Sequence, residues 1–155
     1  MITQKMKYAL KALLVLADEA AGQGRALRIG EIAEASGAPK RFLEHILLDL
    51  RNAGMVASLR GRAGGYKLIK APSEIMVADL LRLIDGPIAP LPCLSRNAYQ
   101  RCEDCASETN CRIRAVFADL YWGYLLLVES LSMADFMAKG GVDAVLPQIA
   151  AELSK

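Results

Sequence analysis

Met55-Val56-Ala57-Ser58-Leu59-Arg60 is followed by Gly61-Arg62-Ala63-Gly64-Gly65 and then by Tyr66-Lys67-Leu68-Ile69-Lys70. The first run alternates apolar and polar residues, which is typical of a β-strand, and a glycine-rich turn joins it to a second, returning strand. Glycine lets backbone segments approach closely, and arginines at the tip of a hairpin can enter a narrow minor groove of DNA. The stretch therefore predicts a β-hairpin with a basic tip at Arg60 and Arg62.

Two short helices separated by a tight turn are predicted immediately before this hairpin. The first spans Ile29–Ser36 and stops at Gly37, and the second spans Lys40–Ala53 and begins beside Pro39. The second helix has an inward apolar stripe at helical spacing, made of Phe42, Leu43, Ile46, Leu47 and Leu50. A glycine turn between two such helices indicates a helix-turn-helix, to which the hairpin adds a wing. We therefore expect a mainly α fold with a small β-hairpin, a winged helix-turn-helix.

Three further helices are predicted around this unit. They span Gln4–Ala20 after the capping residue Thr3, Val77–Asp85, and a long stretch from Arg112 to about Ser130. Ser132 opens a capping box that predicts one more short helix.

The long helix is apolar on more than one face. A coiled-coil-like seam runs at steps of three and four through Ile113, Val116, Phe117, Leu120, Tyr121, Tyr124, Leu127, Val128 and Leu131. Because Trp122, Leu125 and Leu126 lie off this seam, the helix needs burial on two sides. A second subunit is the natural cover for one side, and a helix fully buried within a monomer is the alternative.

The composition fits one domain, with or without an appendage, since the chain has 155 residues of which 54% are hydrophobic. No apolar run approaches the roughly 20 residues of a membrane span, and no secretory cleavage pattern is present. We therefore expect a cytoplasmic protein without a membrane partner. Between Lys40 and Lys70, seven basic residues stand against two acidic ones. That excess suits a phosphate backbone, and it would equally suit a solvated surface.

All four cysteines fall in one polar segment, at Cys93, Cys102, Cys105 and Cys111. Such crowding indicates a shared site, and three chemistries fit it: a metal or iron–sulfur centre, a disulfide switch, or structural disulfides. A reducing cytosol disfavours the last. The two-residue gap between Cys102 and Cys105 is common in zinc sites, so the residues alone favour zinc. An enzyme is not expected, because the single histidine, His45, suits a DNA-facing position and no phosphate-binding loop is present.

From Thr3 to about Ala138, the chain resembles the Rrf2 (IscR-like) winged-helix transcription regulators. The matching motifs are Tyr8-Ala9, Phe42-Leu43-Glu44, Leu50-Arg51 and, most specifically, Val56 to Tyr66. The resemblance implies a dimeric bacterial regulator, and many members bind an iron–sulfur cluster through three cysteines that precede the dimerisation helix. Cys93, Cys105 and Cys111 stand at positions similar to those three.

Two positions depart from the resembled pattern. Some members place a histidine ligand where this chain has Arg114, and others recruit an acidic residue near the partner's N-terminus, where this chain has Lys7 and Tyr8. Cys102 is the substitute that the sequence offers as a fourth ligand. The cluster type, [2Fe–2S] or [4Fe–4S], stays open, and zinc is the other metal that fits.

The sequence thus predicts a transcription regulator, with repression favoured, that binds a palindromic operator in double-stranded DNA as a homodimer under the control of the cysteine loop. The same dimer gated by a thiol–disulfide switch or held by structural zinc is the alternative, and a cluster- or zinc-carrying interaction factor that does not bind DNA is a third.

The expected division is 1–86 for DNA binding, 87–112 for the sensor loop, 113–138 for dimerisation and the short last helix, and 139–155 for a tail. The DNA-binding residues are predicted to be Lys40, Arg41, Glu44, His45, Arg51, Arg60, Arg62 and Lys67. The predicted dimer interface is Val116, Leu120, Tyr124, Leu127 and Leu131.

Overall fold

The computed structural model describes residues 2–138, which form a mainly helical fold with one two-stranded hairpin. Helix α1 spans Gln4–Ala21, and the Thr3 hydroxyl caps it by accepting the Met6 amide at 3.1 Å. Its buried face is Met6, Ala9, Ala12, Leu13, Leu16 and Ala17, and it forms the centre of the core. No helix within residues 2–138 combines the length and apolarity needed to cross a membrane.

The predicted helix-turn-helix is confirmed by helices α2 (Ile29–Ser36) and α3 (Lys40–Asn52). Gly37 between them has φ +65°, a left-handed conformation that favours glycine. After α3 the chain turns at Gly54, whose φ is +69°, and the Met55 amide returns to the Leu50 carbonyl at 3.0 Å. This is the expected C′ glycine termination, and it aims the chain straight into the hairpin.

The predicted hairpin is also confirmed, with shorter strands than expected. Strand β1 spans Val56–Leu59 and β2 spans Gly65–Leu68, and the two pair antiparallel with Val56 opposite Leu68. The returning strand therefore begins one residue before Tyr66 and ends two residues before Lys70.

A third piece of strand, which the sequence did not reveal, holds the second strand of the hairpin close to its tip. Leu27 and Tyr66 exchange backbone hydrogen bonds of 2.9 and 2.7 Å. Gly65 is what allows this approach, because a Cβ there would lie 2.4 Å from the Leu27 carbonyl oxygen. The glycines near the tip thus serve the close packing of the protein's own backbone.

The remaining helices are α4 (Val77–Ile84), α5 (Arg112–Ser130) and α6 (Met133–Met137). After α5 the chain turns back to the winged-helix core: the Met133 amide bonds to the Ile75 carbonyl and the Val77 amide to the Leu131 carbonyl, both at 2.9 Å. Val128 and Met133 belong to the same buried cluster as α1 and α3. The predicted tail, 139–155, lies outside the described residues.

Helix α5 presents two apolar faces, but they are divided differently from the predicted seam. Tyr121, Leu125 and Val128 are buried within the protomer, where α5 packs against α4. Tyr121 and Val128 were expected on the seam, and Leu125 was expected off it. The predicted seam combined two neighbouring apolar stripes of the helix, of which one is buried against α4. The outer stripe of α5, which includes Val116, Leu120 and Tyr124, stays exposed.

Candidate nucleic-acid interface and cysteine loop

Helix α3 has a buried apolar face and an exposed, mainly polar face, on which Leu48 is the one large apolar residue. Leu43, Ile46, Leu47 and Leu50 are completely buried. The opposite face carries five of the predicted DNA-binding residues, all exposed: Lys40, Arg41, Glu44, His45 and Arg51. On that face the Arg41 guanidinium lies 5.2 Å from the centre of the Phe42 ring, and His45 Nδ1 lies 3.2 Å from the Arg41 carbonyl oxygen.

Helix α3 is fixed to α1 by an aromatic contact and an ion pair. The Tyr8 and Phe42 rings lie 5.3 Å apart, and Lys5 Nζ lies 2.9 Å from an Asp49 carboxylate oxygen. Ala9 beside them is fully buried. The apolar and aromatic motif residues in these helices, Tyr8, Ala9, Phe42, Leu43 and Leu50, are therefore packing residues, which hold the exposed face at a fixed angle.

The wing extends the same basic surface. Arg60, Arg62 and Lys67 are all exposed, as predicted. The sequence has no acidic residue between Asp49 and Glu74, so nothing in this stretch neutralises the positive field. The combination of an exposed helix face and an exposed basic tip suits phosphates and base edges.

Arg28 is an interface candidate that the sequence analysis missed. It is exposed just before α2, and its guanidinium donates a 2.9 Å hydrogen bond to the Arg62 carbonyl oxygen in the wing. The available signal was the basic pair at positions 25 and 28, which precedes the first helix of the helix-turn-helix.

The cysteine loop leaves the winged-helix domain after α4 and ends at α5. Cys93 is buried in a short 3₁₀ turn at Pro92–Leu94, whereas Cys102, Cys105 and Cys111 are half-buried, and all four thiols are free. The pKa of the Cys102 thiol is raised because partial burial removes water from it, and further by the charge and hydrogen bond of Cys93 and by the charges of Asp104 and Cys105. Cys93, Cys102 and Cys105 therefore form one neighbourhood.

Polar contacts hold the loop around the cysteines in place. The Gln100 amide bonds to the Pro92 carbonyl at 3.2 Å, and the Arg101 guanidinium donates to the Cys105 carbonyl at 2.8 Å. Tyr99 donates its hydroxyl proton to Glu108, and this bond raises the pKa of the Tyr99 phenol.

Arg114, which occupies the position of a ligand in the resembled pattern, lies beside the loop carboxylate. Its Nε is 3.9 Å from a Glu108 carboxylate oxygen. Arginine has no lone pair to offer a metal, so here the position contributes a positive charge that faces the loop.

Besides the Glu108–Arg114 ion pair, two further side-chain contacts join the loop to α5. Cys111 is the N-cap of the helix, and its sulfur accepts the Arg114 amide at 3.4 Å. The Arg96 guanidinium stacks 4.4 Å from the Trp122 ring centre, which is a cation–π contact. A change in the loop therefore acts on the helix at these contacts.

The four thiols of the cysteine loop are the type of ligand that a soft metal centre requires. Four free thiols in one short loop are the ligands that iron–sulfur clusters and zinc prefer. Residues 2–138 contain no group of three metal-ligating side chains already close enough to hold an ion.

The outer stripe of α5 is a large exposed apolar surface. Val116, Leu120 and Tyr124 are 61%, 65% and 45% exposed, and Leu127 is half-buried. Leu131, the last predicted interface residue, packs partly against its own core. A cavity of about 480 Å³ opens beside the stripe, between α5 and the loop that follows α4, and it includes Leu120 and Tyr124 in its lining.

Comparison with known proteins places this geometry in context. A family profile described as "Rrf2: Iron-dependent Transcriptional regulator" matches residues 2–139. An rrf2-like HTH-type transcriptional regulator of Rhodobacter capsulatus is 65% identical over 147 residues, covering 94% of this chain and 98% of the relative. The HTH-type transcriptional regulator IscR of Aliivibrio salmonicida is 30% identical, over 93% of this chain and 81% of its own length. The solved structure of CymR, the global cysteine regulator of B. subtilis, superposes with a TM-score of 0.71 at 27% identity, covering 90% of this chain and 97% of CymR.

Proposed function

The chain belongs to the Rrf2 family of transcriptional regulators, which are not enzymes, and we propose that it binds operator DNA as a homodimer under the control of an iron–sulfur cluster in its cysteine loop. Repression is the favoured direction, and the cytoplasm is the proposed location. The observation that carries the proposal is the joint between the loop and the exposed helix α5, made by Cys111 and by the Arg96–Trp122 stack.

DNA recognition is assigned to α3 and the wing. Arg41, Glu44 and His45 lie on the exposed face of α3, which would enter the major groove, and Glu44 suits the amino group of cytosine. Lys40, at the start of α3, is placed to reach base edges or phosphates, and Arg51 and Lys67 suit phosphates, which position a protein without specifying sequence.

The second recognition unit is supplied by a second copy of the chain. The exposed stripe of α5 is too apolar to stay in water, and its two-fold pairing would place two α3 helices on one face of the DNA. A palindromic operator follows from that symmetry, because the same residues read each half-site.

Cys93, Cys105 and Cys111, with Cys102 as the fourth, are proposed to hold the cluster. When bound, the cluster supplies a covalent cross-link of the loop that oxidants and iron loss can break. When the thiols are held together, the loop fixes Cys111 at the start of α5 and Arg96 against Trp122. When the thiols are apart, both contacts are free to shift. Control of DNA binding then consists of a different spacing of the two recognition helices in the two states.

A thiol–disulfide switch is the second candidate, and the neighbourhood of two thiols favours it. Cys93 is close enough to Cys102 to contribute to the raised pKa of the Cys102 thiol. Loss of two protons and two electrons to a peroxide-class oxidant would join these two sulfurs and remove both from a metal centre. Structural zinc on the same four thiols is the remaining alternative.

The test is the composition and absorption spectrum of protein purified without oxygen. We expect iron and inorganic sulfide with visible absorption, and loss of that absorption in Cys93→Ala, Cys105→Ala and Cys111→Ala. Thr109→Ala is the matched control within the loop and should retain the spectrum. Stoichiometric zinc without sulfide would favour structural zinc, and a metal-free protein with an oxidant-dependent Cys93–Cys102 disulfide would favour the switch.

A further inference from the structure

The wing tip is glycine-rich and is held from outside the hairpin by one side chain. Residues 60–64 contain two glycines, and Gly61 has φ +96°. Among the hydrogen bonds of residues 2–138, the Arg28 bond to the Arg62 carbonyl is the one that joins this tip to anything beyond the hairpin.

Arg28 itself sits on a rigid base. Its amide donates to a Glu31 carboxylate oxygen at 2.7 Å, and the other oxygen of that carboxylate accepts the Arg25 guanidinium at 2.8 Å. These two hydrogen bonds lower the pKa of the Glu31 carboxyl, so Glu31 is ionised at neutral pH. The neighbouring residue, Leu27, is bonded to Tyr66 through both of its backbone groups.

We propose that Arg28 is a positioning residue for the wing. Its guanidinium fixes the main chain at Arg62 and so sets the direction in which the Arg60 and Arg62 side chains leave the tip. A tip without this bond would have to be ordered when DNA binds, and ordering a backbone segment costs conformational entropy. This role rests on the proposed DNA-binding function and refines it, since α3 and the wing then act as one preorganised surface.

The experiment measures affinity for a duplex that the protein selects from a random-sequence library. Arg28→Ala should lower affinity roughly fivefold, the effect of about one hydrogen bond, with no change in thermal stability. Arg25→Ala is the matched control, because it removes the same charge and a bond to the same Glu31 but no contact with the wing. Its affinity should equal that of the unmodified protein.

A double-mutant cycle separates positioning from direct contact with DNA. In a protein that already carries Arg60→Ala and Arg62→Ala, the wing's side chains are gone, so adding Arg28→Ala should cost no further affinity. An equal loss in both backgrounds would overturn the proposal, because Arg28 would then be contacting a phosphate itself. No loss in either background would overturn it as well. Failure of the unmodified protein to bind any duplex would instead contradict the proposed function.

Discussion

The winged helix and the cysteine loop differ in how completely their functional residues are assembled. The exposed residues of α3 and the wing are already held by packing and hydrogen bonds, from the Tyr8–Phe42 contact to the Leu27–Tyr66 pair. The four thiols are free and lie in one loop, three of them half-buried. The DNA-binding half is therefore held in place by the fold, and the cysteine loop is the part that we propose changes with what it binds. A regulator needs both, because a signal can act only on the part that has two states.

The largest loss of DNA affinity is expected from substitutions that prevent two copies of the chain from pairing. Val116→Asp combined with Leu120→Asp places charge at the centre of the exposed stripe of α5, where a partner would have to desolvate it. We expect monomer in sedimentation velocity and a loss of DNA affinity of roughly a hundredfold or more, since one half-site is no longer bound.

Leu126→Asp is the control for that change. Leu126 is exposed roughly 80–120° around α5 from Val116 and Leu120, outside the stripe, so the same charge there should leave the dimer intact. A folded Val116/Leu120 double variant that sediments as a dimer would place the interface elsewhere.

A smaller effect is expected at the wing. Arg60→Ala with Arg62→Ala should weaken binding to the selected duplex about tenfold to a hundredfold, and the salt dependence should flatten by about one unit for each phosphate that the variant no longer neutralises. Both side chains are exposed, so thermal stability should not change. Lys11→Ala, an exposed charge on α1, is the control for nonspecific loss of positive charge. Normal binding by the wing variant at physiological salt would rule out docking through the hairpin.

Loss of the Arg96–Trp122 contact, which joins the cysteine loop to α5, is expected to reduce the control of DNA affinity several-fold. Arg96→Ala removes the stack on Trp122, so the difference in DNA affinity between cluster-loaded and cluster-free protein should shrink several-fold. Trp122 is the only tryptophan, and its fluorescence reports the contact directly. Arg112→Ala, at the exposed start of α5, should leave the difference unchanged. An undiminished difference in Arg96→Ala would show that the signal does not travel through the Arg96–Trp122 stack.

The smallest effect concerns the turn that brings α6 back to the core. Asp135 accepts the Ser132 hydroxyl and amide, both at 2.7 Å, and these bonds lower the pKa of its carboxyl. Its stabilisation is therefore present at neutral pH and lost as the pH falls through the folded-state pKa, below 3.8. Asp135→Ala should lower the free energy of unfolding by about 1 kcal/mol at pH 7, and the two proteins should converge in acid denaturation. A difference that does not narrow as the pH falls would contradict the carboxylate's role.

The sequence predicts the helices and the hairpin because each carries its own local signal. Gly37 and Gly54 mark turns that only a few residues tolerate, and the period of α3 separates its buried and exposed faces without reference to the rest of the chain. The Leu27 bridge and the Arg28–Arg62 bond could not be predicted in the same way, because each joins segments more than 30 residues apart in sequence.

The division of α5 into a buried and an exposed apolar face is also beyond what the sequence can predict. Every apolar residue on this helix matches a helical period, but which stripe faces α4 depends on where α6 returns to the core. Likewise, the crowding of cysteines predicts a shared site, while the ligand geometry depends on the centre that is bound.

The central claim, that the cysteine loop controls DNA affinity, is tested most directly by one titration. The selected duplex is titrated without oxygen with protein as isolated, with the same protein after iron chelation, and with Cys105→Ala. We predict that the first differs from the other two by at least about tenfold, within the range of typical allosteric coupling, and that the other two agree. Equal affinities for all three, in a sample whose isolated form carries the cluster absorption, would contradict the account.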